Sequence, residues 1–361
     1  MRIALVISLN FHPGHVSHLR ASYLQFEELG FESYYYVNKA FKAFLPKESR
    51  ALFYGEGKPS AADVAIIWFP SQENLQVIWS LKRHFKTKII YCFHEPIISF
   101  KEFLESGYSR KQVLIECMKD WIGAFTSNVS DAVVLPSKKA YANYQAGKLY
   151  KNKKAFYLPL LYDDERTEEH QKTKRHYFSY IGTVAPDHSF NEFVAFIKWA
   201  YRQGKLKSVL FMIATRSKVE SDEVMREMIS IGRLKLIQGE PMDDETINRC
   251  YSSSIAIWNA YARTMQSGVL AKSFMFGVPG IVLRKNLSEF SSDGQDVVAI
   301  DNNISFEEIE KAILRISENF SHFSDAARKR FEETFYYRQN NETVSKILSI
   351  LNGKENPDYN F

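Results

Sequence analysis

Residues Ile255–Leu283 read IAIWNAYARTMQSGVLAKSFMFGVPGIVL, and this stretch decides the fold. The apolar run Ile255–Trp258 has the length of a buried strand, and a small polar turn follows it. Val269–Phe276 then has the apolar spacing of a helix, which Gly277 ends before the apolar run Gly280–Leu283. A strand, a helix and a second strand in this order predict a unit of a parallel α/β sheet.

The same alternation extends along the whole chain. The first half contains six predicted strands: Ile3–Leu9, Ser33–Val37, Val64–Phe69, Lys88–Phe93, Ala132–Leu135 and Phe156–Leu158. In the second half, four more join the two above: Tyr177–Ile181, Ser208–Ala214, Leu234–Ile237 and Val297–Ile300. The pattern predicts two Rossmann-like, doubly wound α/β domains that face a cleft, with ligands at the carboxyl ends of the strands.

A change of composition marks the domain boundary. Residues 163–175 are polar and nearly devoid of apolar side chains, which is typical of a linker. The predicted domains are therefore residues 1–165 and 166–335, followed by a C-terminal helix and tail at 336–361. Because the amphipathic segment Tyr337–Leu351 follows the complete second domain, we expect its helix to cross back and pack on the first.

Length and composition exclude several classes of protein. The 361 residues suit two domains, and 45% hydrophobic with 25% charged residues excludes general disorder. No apolar run approaches the ~20 residues of a membrane span, and the N-terminus has the pattern of a strand instead of a signal peptide. Three scattered cysteines provide neither a disulfide framework nor a zinc site. We expect a soluble protein of a reducing compartment.

The charge is mild and mixed. The net charge is +5, with 42 acidic residues interspersed among 47 basic ones, so we predict no nucleic-acid partner. The densest basic cluster comprises Lys148, Lys151, Lys153 and Lys154. It is either an ordinary solvated loop, which we favour, or a contact for anionic lipid headgroups or a phosphorylated substrate.

Histidines follow two strands of the first half. Gly14 lets the backbone approach a ligand. His12 and His15 lie beside it and could bind a sugar, and His15 could also act as a base. His94 and Glu95 end another strand, where a carboxylate can orient an imidazole. We predict no metal, because the histidines of the first turn lack a carboxylate or cysteine partner at suitable spacing.

The turn at 266–272 is the strongest candidate in the second half. It joins a strand to a helix, so backbone amides at the start of that helix could bind a diphosphate. Lys272 and Arg216 could add positive charge. The full candidate set is Gly182, Thr183, Arg216, Glu240, Gln266, Ser267, Gly268, Val269, Leu270 and Lys272.

Taken together, these segments resemble the GT-B glycosyltransferases, in particular the group-1 (family 4) enzymes that use nucleotide sugars. The resemblance covers the whole chain in order. It rests on six segments: His12–His15, Phe93–Pro96, Asp131–Ser137, Tyr180–Thr183, Gln266–Pro279 and Phe335–Arg338. The family has two glutamates before the Gly-Val-Pro of the fifth segment, whereas this chain has Thr264 and Lys272 at those positions.

The resemblance implies transfer of a sugar from a nucleoside diphosphate-sugar, without metal or other cofactor, to a glycan or lipid-linked acceptor. It implies a donor site in the second domain and an acceptor site with Gly14 and His12 in the first. His94 would contact the donor sugar, and retention of configuration is favoured, although an inverting route with His15 or Glu95 as base stays open. The expected location is the cytoplasm, including a peripheral position at the inner membrane face. One alternative is a catalytically silent GT-B-like scaffold of a glycan assembly pathway. Another is a two-domain enzyme of the same architecture such as a sugar-nucleotide epimerase, which we favour less because Gln266–Pro279 resembles the transferases more closely.

Overall fold

The computed structural model describes residues 2–97, 99–239 and 242–354. These divide into two compact units. Within the described residues, the first unit contains 2–97, 99–105, 109–163 and 335–354, and the second contains 106–108, 164–239 and 242–334. Each unit has one parallel sheet with helices, so the predicted α/β class with two Rossmann-like domains is confirmed.

The first unit is built on a seven-stranded sheet. Its strands are β1 Arg2–Ser8, β2 Phe31–Asn38, β3 Ala51–Tyr54, β4 Val64–Trp68, β5 Lys88–Cys92, β6 Ala132–Leu135 and β7 Ala155–Tyr157. Their order is β3-β2-β1-β4-β5-β6-β7, and every pairing is parallel. All five residues of β4 are buried, as expected where helices cover both faces of a parallel sheet.

The helices of the first unit are α1 Val16–Glu28, α2 Asn74–Phe85, α3 Phe100–Glu105, α4 Arg110–Val129, α5 Lys138–Ala146 and, at the C-terminal end, α13 Asn341–Leu351. Short 3-10 turns lie at Pro13–His15, Lys39–Ala43 and Tyr337–Asn340. Glu28 fixes the C-terminal segment to α1, because it accepts hydrogen bonds from Tyr337 Oη at 2.7 Å and from Asn341 Nδ2 at 3.0 Å. The predicted return of the last helix to the first domain is confirmed.

The second unit has a six-stranded sheet in the order β10-β9-β8-β11-β12-β13. Its strands are β8 Tyr177–Ile181, β9 Leu210–Thr215, β10 Leu234–Gln238, β11 Ser254–Asn259, β12 Gly280–Leu283 and β13 Val297–Ile300. Its helices are α6 Glu168–Lys172, α7 Phe190–Arg202, α8 Glu223–Ser230, α9 Asp244–Ser252, α10 Gly268–Met275, α11 Phe306–Glu318 and α12 Phe320–Arg330. Further turns are the 3-10 segments Pro186–His188 and Arg284–Asn286 and the π-helical Phe331–Phe335.

Both sheets have a point at which the direction of winding reverses. In the first sheet β1 lies between β2 and β4, and in the second β8 lies between β9 and β11. The loops that leave the two central strands at such a point run to opposite faces of the sheet, which opens a crevice at the carboxyl edge. The loops after β1 and β4, and those after β8 and β11, are therefore where ligand sites are expected.

The interpretation of 163–175 as a linker is wrong for most of that segment. Asp164 and Glu165 already belong to the second unit, where they pair with Arg328 and Lys272, and α6 follows directly. The segment is polar because its charges form ion pairs on a folded domain. A free chain and a paired surface have the same composition, so composition alone did not distinguish them.

Candidate functional site

In the second unit, Gly182 sets the geometry of the switch point. It follows β8 with φ +136°, a conformation that L side chains rarely adopt. A Cβ at this position would lie 3.4 Å from Val269 Cγ2 and 3.9 Å from the Tyr261 hydroxyl. The glycine turn after β8 is therefore packed directly against the first turn of α10, which brings together two segments that the sequence assigned to one site.

The start of α10 is held by polar contacts from the neighbouring strand. Ser267 is its N-cap, and the Ser267 Oγ accepts a hydrogen bond from the Leu270 amide at 3.2 Å. Asn259, buried at the end of β11, donates from Nδ2 to the same Oγ at 2.7 Å. The Leu270 amide is thus already used by the cap, whereas the sequence placed it among the diphosphate donors. Gln266, Gly268 and Val269 are half-buried, so the turn lies at the surface of the unit.

Two stacked aromatic rings lie beside this turn. His188 stacks on Tyr261 with ring centroids 4.1 Å apart and an angle of 7° between the planes. The His188 Nδ1 is 2.7 Å from the carbonyl oxygen of Thr183, and the Tyr180 hydroxyl donates to the same oxygen at 2.8 Å. These two contacts to its carbonyl oxygen hold Thr183 in place next to Gly182.

Lys272 lies one turn into α10, but its charge is balanced within the unit. Its Nζ is 2.9 Å from Glu165 Oε2, and the two side chains are only 10% and 6% exposed. Asn248 Nδ2 donates to the same carboxylate oxygen at 3.1 Å. The sequence predicted Lys272 as a partner of a diphosphate. In this structure its amine instead forms an ion pair with Glu165, which lies near the start of the second unit.

The remaining predicted donor residues are placed as follows. Arg216 is exposed and comes directly after β9, the strand next to β8. The neighbouring Ser217 Oγ accepts from the Val184 amide at 3.2 Å, which ties the loops after β8 and β9 together. Glu240 lies outside the described residues.

In the first unit, the switch point is filled by stacked rings. Phe69, directly after β4, stacks on His15 with centroids 3.3 Å apart and on His94 with centroids 4.4 Å apart. His12 extends the column, since its ring lies 4.8 Å from that of His15. Phe69 has φ +66°, an unfavourable conformation for a bulky side chain, and such strain concentrates at functional positions. His12, His15 and His94, three of the candidates, are therefore brought together around a residue that the sequence analysis missed.

This ring column carries little charge. Burial lowers the pKa of His94 to about 3, and the nearby His18 lowers it further. Burial also lowers the pKa of His15 well below its usual value, with additional repulsion from the neighbouring histidines. His94 Nε2 and His15 Nδ1 are buried and accept or donate no hydrogen bond within the described chain. Both rings are neutral near pH 7 and interact as hydrogen-bonding and stacking groups.

The other predicted residues of the first unit have simpler positions. His12 Nδ1 accepts a hydrogen bond from the Gly14 amide at 3.2 Å, so His12 caps the turn that leads into α1. Gly14 is exposed, and Glu95 is also exposed, at the carboxyl edge beyond β5. Of the residues described, no group of three or more His, Cys, Asp or Glu side chains is arranged to hold a metal ion. Within the same ranges, no helix has both the length and the apolar character needed to cross a membrane.

Four contributors to these sites were missed from the sequence: Asn259, Tyr261, Glu165 and Phe69. Asn259 had a usable signal, since a polar residue at the end of an otherwise apolar strand marks a carboxyl edge. Glu165 gave no such signal, because its partner Lys272 is more than a hundred residues away.

No family model matches the sequence, and no curated protein matches it. Solved structures do match. Sucrose-phosphate synthase from Thermosynechococcus elongatus has a TM-score of 0.67 at 11% identity, over 98% of this chain and 100% of that chain. HepE from Anabaena in complex with UDP-glucose gives 0.67 at 12% identity, over 97% and 100%. A glycosyltransferase from Rickettsia africae gives 0.67 at 10% identity, over 98% and 99%.

These likenesses extend over nearly the whole chain on both sides of each comparison. They show that the chain has the GT-B fold of glycosyltransferases, as the sequence resemblance implied. At this level of identity they establish the fold, and the site residues described above must be argued from their own geometry.

Proposed function

We propose that the protein transfers a sugar from a nucleoside diphosphate-sugar to a hydroxyl group of a glycan or lipid-linked acceptor. The donor would bind at the switch point of the second unit, and the acceptor would bind at the first, where Gly14 and His12 lie. In the reaction, the bond from the anomeric carbon to the diphosphate oxygen breaks, and a bond to the acceptor oxygen forms. The acceptor hydroxyl loses its proton, and the nucleoside diphosphate leaves.

The observation that carries this proposal is the contact between Gly182 and the first turn of α10. A glycine with positive φ keeps side-chain atoms away from the mouth of this turn, so a ligand could approach the backbone. The N-terminal end of a helix carries partial positive charge and amide donors, which favours a diphosphate. Because the turn is half-buried instead of covered by packed side chains, it is accessible to such a ligand.

The structural neighbours support the choice of donor. HepE was solved with UDP-glucose and also with UDP and glucose. The same fold covers nearly all of this chain. A nucleoside diphosphate in the second unit of this chain is the corresponding proposal.

The reaction requires that negative charge on the departing diphosphate be stabilised. We assign this to the α10 dipole with the amides of Ser267, Gly268 and Val269, and to Arg216, without a metal ion. Lys272 would contribute only in part, since Glu165 already balances its charge.

Retention of configuration is the stereochemistry we propose. An inverting reaction needs a base whose pKa is matched to the operating pH. Burial and neighbouring histidines lower the pKa of His15 well below its usual range, which makes it a weak base. We assign His94 to a neutral contact with the donor sugar. Glu95, exposed at the carboxyl edge, is then the candidate base should the product prove inverted.

The proposal is tested by incubating the full chain with a panel of nucleotide sugars and a broad set of glycan and lipid-linked acceptors. We expect release of nucleoside diphosphate that depends on the acceptor, and a rise in melting temperature with the matching nucleotide. Nuclear magnetic resonance of the anomeric proton of the product would establish the stereochemistry. If no nucleoside diphosphate raises the melting temperature, the proposed donor site is wrong.

A second candidate is a catalytically silent GT-B scaffold protein of a glycan assembly pathway. The observation that favours it is Lys272, which stands where the resemblance places a family glutamate and is tied to Glu165. Nucleotide binding without turnover over the full acceptor panel would support the scaffold. Turnover with any donor and acceptor would eliminate it.

The proposed location is cytoplasmic, with peripheral attachment to the inner face of the membrane. A lipid-linked acceptor would be presented there. The basic cluster at 148–154 supports this location because its four lysines are exposed.

A further inference from the structure

Helix α4 of the first unit packs on the protein mostly through small and polar side chains. Among its buried residues are Gly123, Ala124, Thr126 and Ser127, which are small or polar. A Cβ on Gly123 would lie only 2.7 Å from the Phe93 ring, so the helix packs tightly against the residue after β5. The large apolar side chains of α4 consequently point away from the core.

The outer face of α4 carries a continuous apolar stripe. Its members are spaced three or four residues apart and are strongly exposed: Leu114 62%, Met118 55%, Trp121 60%, Phe125 61% and Val129 42%. Residues at this spacing lie on one side of a helix. Monomeric proteins in water rarely expose a contiguous patch of this kind, so we expect something to cover it.

The stripe continues onto α2, which packs beside α4. Leu75 is 37% exposed and Trp79 is 59% exposed, and Lys82 follows on the same side of the helix. Lys82 Nζ donates to the carbonyl oxygen of Val129 at 2.8 Å, which places this side of α2 at the C-terminal end of α4.

The lysine-rich loop 148–154 is fixed to the same end of α4. Asn128 Nδ2 donates to the carbonyl oxygen of Leu149 at 3.0 Å, and the Lys151 amide donates to Asn128 Oδ1 at 2.7 Å. Leu149 is itself 48% exposed. The four exposed lysines of this loop therefore border the apolar stripe at Val129. We call the combined surface the apolar face; its members are Leu75, Trp79, Leu114, Met118, Trp121, Phe125, Val129 and Leu149.

The acidic groups on α4 and directly after it are paired or buried, whereas Glu73 at the start of α2 is exposed near Leu75. Asp131 is 3.1 Å from Lys82 Nζ, and Glu116 is 2.7 Å from Lys119 Nζ. Asp120 is buried and accepts hydrogen bonds from the Tyr150 hydroxyl and the Ile97 amide. The border of the apolar face is therefore positive at the Val129 end, where the four exposed lysines of the loop lie.

We propose that the apolar face docks on an anionic lipid bilayer, with α4 lying in the plane of the interface. Exposed tryptophans, large aliphatic side chains and a border of lysines match the chemistry of an anionic membrane surface, since aromatic rings favour the headgroup region and lysines bind anionic headgroups. The inference rests on the peripheral location in the proposed function and is independent of the sugar-transfer step.

The test uses the full chain and needs neither donor nor acceptor. Vesicles of phosphatidylcholine with about one-third phosphatidylglycerol are compared with vesicles of phosphatidylcholine alone, by sedimentation and by tryptophan fluorescence. Trp79 and Trp121 are exposed, whereas Trp68 and Trp258 are buried, so docking should shift the emission to shorter wavelength. We expect binding to the anionic vesicles, weakened by salt.

Two variants separate the apolar and the basic contributions. Trp121→Ser with Phe125→Ser removes large exposed rings, and we expect a loss of vesicle binding of at least about tenfold. Lys148→Gln, Lys151→Gln, Lys153→Gln and Lys154→Gln together should cause a similar loss and remove most of the salt dependence. Matched controls change exposed residues of the second unit: Ile231→Ser with Leu314→Ser, and Lys207→Gln, Lys285→Gln, Lys311→Gln and Lys329→Gln together. These should bind as the wild type does.

Several outcomes would overturn the inference. They are absence of binding to anionic vesicles, equal binding by the Trp121 and Phe125 variant, and a dimer in light scattering that the same variant dissociates. The last outcome would assign the apolar face to a second copy of this chain. None of them bears on sugar transfer, because acceptor-dependent release of nucleoside diphosphate is measured separately.

Discussion

The two switch points of this molecule are built from different chemical groups. In the second unit, Gly182 and the capped start of α10 present backbone and hydroxyl groups at a half-buried turn. In the first unit, His15, Phe69 and His94 fill the equivalent position with stacked rings, and the two half-buried imidazoles are neutral near pH 7. The same topology therefore produces one edge that presents backbone and hydroxyl groups and another that presents neutral rings.

This difference is consistent with the proposed reaction. A diphosphate needs donors and a helix dipole, whereas sugar hydroxyls and ring faces need neutral hydrogen-bonding groups and aromatic surfaces. Burial disfavours a charged imidazole and lowers the pKa of His94, so this ring stays neutral.

The largest effect is expected at the Lys272–Glu165 pair of the second unit. In Lys272→Met the Glu165 carboxylate, which is only 6% exposed, loses its charged partner. We expect the free energy of unfolding to fall by about 3 kcal/mol. Denaturant unfolding measures it. Lys272→Met combined with Glu165→Leu should recover most of the loss, because no charge is then left buried. An unchanged stability of the single variant would show that the pair is not structural.

The next effect concerns Gly182. Alanine is strained at φ +136° and should distort the backbone of this turn, so we expect about ten- to hundredfold weaker binding of a nucleoside diphosphate. Calorimetric titration measures the affinity. Gly57→Ala is the matched control, because a Cβ there meets nothing within 4 Å. If Gly182→Ala and the wild type bind the nucleoside diphosphate with equal affinity, the proposed anion site at this turn of the second unit is wrong.

The pH dependence of stability tests the neutral character of the first unit. Because the folded pKa of His94 is about 3 and the unfolded value is about 6.5, the unfolded chain binds more protons below pH ~6.5. Stability should therefore fall as the pH falls, by about 2 kcal/mol from this residue between about pH 7 and 5. In His94→Gln the decline should be smaller by that amount. Parallel curves for the two proteins would contradict a buried, neutral His94.

The smallest effect is expected from the exposed Arg216. Arg216→Ala should weaken binding of a nucleoside diphosphate by about fivefold, since an exposed charge is screened by water and salt. Arg202→Ala removes the same charge from the end of α7 and serves as the control. If both variants lose affinity equally, the effect is one of net charge, and Arg216 has no place in the site.

Most of the fold could be predicted from the sequence, because apolar runs such as Val64–Phe69 and glycines such as Gly277 mark strands and helix ends locally. β3 was missed because its four residues are only half-buried, at the edge of the sheet. α4 was also missed, and its sequence misleads about its core side: the large apolar residues at helical spacing face outward, while mostly small or polar residues pack inward.

The candidate site was predictable as a set of loops and less so as contacts. That the turns at Gly182 and at 266–269 adjoin follows from strand order, which a switch point implies. The ion pair of Lys272 with Glu165 and the ring column around Phe69 depend on residues far apart in the chain. Such pairings are set by tertiary packing, which leaves no periodicity or local motif to read.

The central claim is that the start of α10 binds the diphosphate of a nucleotide sugar. A crystal structure of the full chain with a nucleoside diphosphate tests it most directly. We expect phosphate oxygens within hydrogen-bonding distance of the amides of Ser267, Gly268 or Val269, next to Gly182. A nucleotide bound elsewhere, with this turn empty, would contradict it.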